Sequence, residues 1–91
     1  WSLYVLECAD GTLYTGISPN VHERLAKHQA GKGAAYTAPR RPVRLLGAWQ
    51  FMNKSAALKA ELAFKSLSRP AKLAALRRQQ PFLEAPFVEN P

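Results

Sequence analysis

The sequence is poor in cysteine, poor in acidic residues and has no long apolar run. Its one cysteine, Cys8, excludes an intramolecular disulfide and any cysteine-rich zinc site. A lone thiol suits a reducing cytosol, so the expected compartment is the cytoplasm. Cys8 lies in an apolar stretch, where a buried structural thiol is the better reading than a nucleophile. No apolar run approaches the roughly 18 residues that a membrane-spanning helix needs. No helix is expected to join a basic face to exposed large apolar residues, which argues against an anionic membrane as partner. No signal-peptide pattern is visible, and the chain opens at Trp1 rather than Met. Internal repeats and low-complexity tracts are absent too.

What is present is basic charge, unevenly placed. The 91 residues carry a net charge of +7, and all 13 lysines and arginines lie between Arg24 and Arg78. The six acids are Glu7, Asp10, Glu23, Glu61, Glu84 and Glu89, and only Glu61 falls inside that stretch. A one-sided field concentrates a polyanion near the surface. Phosphate binding then gains from counterion release and weakens as salt rises. The length fits one domain, and 47% hydrophobic residues supply a core and argue against disorder.

Residues 1–8 and 12–17 read as two strands, rich in aromatic and β-branched types. A two-residue Asp10-Gly11 turn would place Tyr4 and Tyr14 on opposite faces. A three-residue loop with Gly11 at positive φ pairs Cys8 with Thr12, Leu6 with Tyr14 and Tyr4 with Gly16, and is preferred. A helix follows over about 21–30, with Asn20 as N-cap, Glu23 completing a capping box and Gly31 as its stop. Arg24 and His28, four apart, share a face of it. Next come the loop 31–42 and a third strand over 44–52. A second helix over about 56–67 is expected to be capped by Ser55, and Pro70 is expected to open a third, over about 70–79. These elements make an α+β domain over residues 1–80. Residues 81–91 read as a Pro-rich tail whose Phe82, Leu83 and Phe87 pack on the body.

Glu61 is oddly placed for a surface acid. On a helical wheel it lies mid-way along the apolar arc of the second helix, between Ala57, Ala60 and Phe64 on one side and Leu58 and Leu62 on the other. The polar face, with Ser55, Lys59 and Ser66, lies elsewhere. An inward carboxylate needs a charged partner. Lys65 would give an ordinary i,i+4 pair, and Arg24 a partly buried salt bridge. A divalent cation would take this carboxylate as one ligand, with water or phosphate as the rest.

Other residues fit phosphodiester chemistry. In the preferred register Tyr4 and Tyr14 share a face, where nearby positive charge favours a phenolate that accepts a proton from water. The competing reading is two aromatics packed in a core. Gly16 beside them lets a phosphate approach the backbone. Arg24 offers a bidentate phosphate clamp, or is a solvated helix arginine. His28 orients a water or contacts phosphate, or is structural. Loop residues Lys32, Arg40 and Arg41 are placed to hold a phosphate backbone.

Taken together these residues resemble the GIY-YIG nuclease family, in particular its small stand-alone bacterial members. Ser2-Leu3-Tyr4 and Tyr14-Thr15-Gly16 stand where the two family tripeptides would be, with ten residues from Tyr4 to Tyr14. Arg24 and His28 look like the family's helix arginine and following histidine. Residues 31–37, GKGAAYT, look like the loop of the stand-alone group, and residues 57–69 like the helix carrying the metal-binding glutamate, at Glu61. The resemblance implies a small three-stranded antiparallel sheet flanked by about three helices, and metal-dependent cleavage of DNA. It implies a tyrosine, Tyr4 or Tyr14, as general base, Arg24 on the phosphate, and one Mg2+ or Mn2+ at Glu61. Gly16, Lys32, Tyr36, Arg40, Arg41 and Lys65 are then the expected nucleic-acid contacts. Two departures stand out. Ser2 replaces glycine, and the later asparagine used by some family enzymes has a counterpart only at Asn90, so that role is expected to be unfilled.

Three functions are consistent with this pattern. They are a DNA endonuclease, a nucleic-acid-binding module with little cleavage, and an adaptor recruited by a protein partner through the tail. No attached specificity domain is present in the sequence. Selectivity is therefore expected from DNA structure, branched or damaged forms included, or from a targeting partner.

Overall fold

A computed structural model describes residues 1–79. The proposed tail packing of Phe82, Leu83 and Phe87 lies outside the described residues, as does Asn90. Strands β1 (Ser2–Glu7), β2 (Leu13–Ser18) and β3 (Arg44–Gln50) form one antiparallel sheet in the order β2-β1-β3. Helix α1 (Val21–Gln29) follows β2, a single 3-10 turn (Ala38–Arg40) precedes β3, and α2 (Lys54–Lys65) and α3 (Arg69–Gln79) follow it. No helix among the described residues is long and apolar enough to cross a membrane.

The central strand is buried on both faces because both faces are covered. Leu3 and Val5 pack with Trp49, Phe64 and Leu76, on the side of α2 and α3. Tyr4, Leu6 and Cys8 pack with Val43, Val21 and Leu25, on the side of α1. Cys8 is buried and unpaired, as a structural thiol should be. A bulge opposite Val5 and Leu6 leaves Leu46 between their partners Gly47 and Leu45, and Leu45 and Leu46 join opposite cores.

The hairpin takes the three-residue loop. Tyr4 pairs with Gly16 and Leu6 with Tyr14, and Gly11 stands at φ 85°. Asp10 closes the turn by accepting from the backbone N–H and hydroxyl of Thr12, at 3.1 and 2.6 Å. Those bonds, before its pairing with Arg40, hold the Asp10 carboxyl below the usual carboxylate range. This turn fixes the register, and the register puts the two tyrosines on one face.

The expectations for the helices required four corrections. Asn20 caps α1 by accepting from the Glu23 N–H at 3.1 Å, but the Asn20 N–H donates to Ser18 Oγ at 3.0 Å, so the capping box is only half made. Ser55 does not cap α2. Asn53, in extended conformation, does so by accepting from the Ala56 N–H at 2.8 Å, and the helix starts at Lys54. An asparagine oxygen reaches the first turn as well as a serine does, so the cap nearer the strand end prevails. Third, the apolar arc of α2 is narrower than the wheel implied. Ala57 and Phe64 are buried, but Leu58 and Leu62 are 42% and 70% exposed. Glu61 therefore lies at the border of the buried face rather than its middle. Exposed leucines beside Lys54, Lys59 and Lys65 also contradict the expectation that no helix joins basic and apolar exposure.

Candidate active site

The site is built outward from the middle of the central strand. Tyr4 is 1% exposed, and across β2 the residue facing it is Gly16. A Cβ on Gly16 would stand 2.6 Å from the Tyr4 hydroxyl oxygen and 2.8 Å from Cζ, so only glycine leaves the phenol its place. Tyr14 is half-buried beside it, with ring centroids 6.4 Å apart. The last turn of α1 brings His28 against both rings, at 5.8 Å from Tyr4 and 5.1 Å from Tyr14.

His28 is fully buried and hydrogen-bonded at both nitrogens. Its Nε2 lies 2.9 Å from the Tyr4 hydroxyl and its Nδ1 2.8 Å from Thr37 Oγ1. Burial, and then the charge of Arg24, lower its pKa, so the ring is neutral near pH 7. Tyr4 moves the other way. Burial, and then the neighbouring Tyr14, push its pKa up to about 12, with Glu61 adding to the rise; Arg24 opposes them by charge and hydrogen bonding. The Tyr4 hydroxyl is thus the point at which Tyr14, Arg24, His28 and Glu61 all act, although they come from β2, α1 and α2.

Glu61 shows 16% of its side chain, and its Oε2 lies 3.3 Å from Lys65 Nζ. Of the two side-chain partners the sequence allowed, Lys65 is the one in contact. Oε1 accepts no hydrogen bond from a described residue. A mostly buried carboxylate with one oxygen that no described residue donates to suits a hydrated cation. A full protein cage is absent: no group of three or more His, Cys, Asp or Glu comes together among the described residues. One carboxylate completed by water and phosphate is a normal magnesium arrangement.

The loop residues divide. Tyr36 stacks on Tyr14 at 6.2 Å and 21°, and the Arg40 guanidinium lies 3.9 Å from the Tyr36 ring centre. Arg40 also donates to Asp10 at 3.1 Å and to the Tyr36 carbonyl at 2.8 Å. Arg41 donates to the carbonyls of Ala38 and Gln29. Both arginines expected on phosphate are thus engaged in holding the loop, while Lys32 is exposed. Thr37 received no role from the sequence. Its partner is nine residues away across an irregular loop, and no local pattern announces that contact.

Residues 1–74 match the family model described as the GIY-YIG catalytic domain. The chain belongs to the GIY-YIG family. It is therefore a member of a nuclease superfamily with an α+β fold. It is 57% identical over 74 residues to a UPF0213 protein of Cupriavidus pinatubonensis, covering 81% of this chain and 82% of that one. A UPF0213 protein of Streptococcus sanguinis is 53% identical over 77 residues, covering 85% and 88%. The solution NMR structure of a UPF0213 protein from Bacillus halodurans matches with a TM-score of 0.57 and 42% identity, covering 86% and 83%. In this GIY-YIG domain the two tripeptide tyrosines lie on adjacent strands against the helix histidine, with the helix glutamate in electrostatic reach of Tyr4.

Proposed function

We propose that this protein is a metal-dependent endonuclease that hydrolyses phosphodiester bonds in DNA. The observation carrying this reading is the Tyr4 hydroxyl hydrogen-bonded to a neutral, buried His28, with Arg24 and Glu61 both acting on it. Hydrolysis needs a base for water, a cation on the phosphate, and stabilisation of the leaving oxygen. Tyr4 is the base. With a pKa of about 12 it is rarely a phenolate at neutral pH, so it must lose its own proton as it gains one. As water gives a proton to Tyr4 Oη, the phenol proton passes to His28 Nε2, the hydroxide forms its bond to phosphorus, and the P–O bond to the leaving sugar oxygen breaks, that oxygen taking its proton from solvent. Arg24 presents paired N–H donors to the phosphate oxygens and favours the phenolate character of Tyr4. Glu61, with water and phosphate, would hold the one Mg2+ or Mn2+. When bound, that ion supplies Lewis-acid stabilisation of the leaving oxygen.

The test is plasmid nicking with Mg2+, Mn2+ or chelator, alongside Glu61→Gln. Metal-dependent nicking that falls at least about 100-fold in the variant is expected. Equal nicking by variant and parent would overturn the assignment.

The Glu61–Lys65 pair favours a second reading, a nucleic-acid-binding module without cleavage. Salt-sensitive DNA binding with no metal-dependent product from tag-free protein would select it over the first.

A further inference from the structure

Thr37 is completely buried in the loop between α1 and β3, and among the described residues its hydroxyl has two polar contacts. Oγ1 lies 2.8 Å from His28 Nδ1 and 3.2 Å from the carbonyl oxygen of Ala34. A threonine hydroxyl has one hydrogen to give, and a carbonyl can only accept. If that hydrogen goes to Ala34, Oγ1 must accept from His28, and Nδ1 carries the N–H. A neutral imidazole has one N–H, so Nε2 then presents a lone pair. The Tyr4 hydroxyl, 2.9 Å away, donates to it. The opposite arrangement leaves the Ala34 carbonyl without this donor and turns Nε2 into a donor toward Tyr4.

Gly33 completes the clamp. A Cβ there would stand 2.5 Å from His28 Nδ1 and 2.9 Å from His28 Cα, so the loop closes directly on the ring. The Thr37 backbone is fixed as well, because its carbonyl accepts the Arg40 N–H at 2.9 Å.

We propose that Thr37 is a positioning residue that sets the tautomer of His28, with hydrogen on Nδ1, so that Nε2 is left bare to receive the Tyr4 proton. The proposal rests on Tyr4 being the base, as argued above, but the tautomer itself does not depend on any cleavage. Thr37 touches neither phosphate nor water in this role. It acts through His28, as a second group that orients a general base acts elsewhere.

The test uses the full chain with Thr37→Val and Thr37→Ser. Valine keeps size and branching but cannot accept, and serine keeps the hydroxyl. Long-range 1H–15N correlation of the imidazole nitrogens reads the tautomer near pH 8, with exposed His22 as internal reference. The parent and Thr37→Ser should show His28 with a protonated Nδ1 and a bare Nε2, and Thr37→Val should lose that preference. A parent protonated at Nε2, or a folded Thr37→Val with the parental pattern, overturns the proposal; the parent spectrum decides even if the valine variant does not fold. In cleavage, Thr37→Ser should stay within about threefold of the parent and Thr37→Val should fall at least about tenfold, since a wrong imidazole tautomer can cost a site about 10⁴-fold. Unchanged cleavage by a folded Thr37→Val also overturns it. A parent with the expected tautomer but no cleavage refutes the nuclease reading and leaves the tautomer assignment standing.

Discussion

Replacing Tyr4 with phenylalanine isolates one oxygen atom. The ring stays in the cluster with Leu6, Cys8 and Val43, and the substitution removes the 2.9 Å bond to His28 Nε2 together with the interaction with Arg24. His28 is fully buried, so its nitrogen is left without a donor. A buried acceptor stranded in this way costs about 1–3 kcal/mol, less what is recovered by no longer desolvating the phenol. A net loss of about 1 kcal/mol lowers Tm by roughly 4–8 °C in a domain this size, leaving the variant folded at 25 °C. Cleavage should fall much further, by about 10²- to 10⁴-fold, because the base is gone. Tyr14→Phe is the matched control. Its ring contacts to His28 and Tyr36 survive, and its hydroxyl donates to no described residue. Its loss should be less than about tenfold. Single-turnover nicking and thermal melts by circular dichroism measure both quantities. If Tyr14→Phe loses the activity and Tyr4→Phe keeps it, the assignment of the base is wrong, and the half-exposed phenol is the one that meets water.

Three further outcomes are expected. Gly16→Ala brings a Cβ to 2.6 Å from the Tyr4 hydroxyl oxygen, so it should break the Tyr4–His28 bond and abolish cleavage while costing about 1–3 kcal/mol; parental activity would show that the phenol moves freely. His28 has a lowered pKa, so the unfolded chain, titrating near 6.5, takes the proton more readily than the folded one. Its contribution is complete above about pH 6.5 and is lost as pH falls toward the folded value; melts from pH 8 to 5 should show a decline that His28→Asn flattens. Asn53→Ala should cost about 1 kcal/mol and Ser55→Ala less than about half of that, read by urea unfolding, and the reverse order would restore Ser55 as the cap.

Much of the scaffold is legible because local chemistry dictates it. Asp10 and Gly11 fix a three-residue turn, and that turn alone sets which side Tyr4 and Tyr14 share. Asn20 and Gly31 bound α1 for reasons confined to a few residues. The failures arise where tertiary packing decides. The wheel of α2 could not tell that α2 buries Ala57 and Phe64 but turns Leu62 to solvent. The role of His28 stayed open in the sequence because its partners, Tyr4 and Thr37, come from a strand 24 residues before it and a loop nine residues after it.

The same distinction changes what the basic charge does. Arg40, Arg44, Arg69 and Lys65 all lie in the stretch that looked like one polyanion surface. Arg40 ties the loop to Asp10, Arg44 pairs with Glu7 across two strands at 2.7 Å, Arg69 holds the Gly11 carbonyl at 3.0 Å, and Lys65 neutralises Glu61. Charges already paired with a carboxylate, as on Arg40, Arg44 and Lys65, release fewer counterions from DNA than unpaired ones. Attraction to phosphate therefore falls more heavily on exposed cations such as Lys27 and Lys32, in α1 and the turn after it, and Lys54, Lys59, Arg77 and Arg78, on α2 and α3. Arg40 and Arg41 brace the loop between α1 and β3 in which Thr37 meets His28, so those two basic residues of the loop serve the fold before they can serve phosphate.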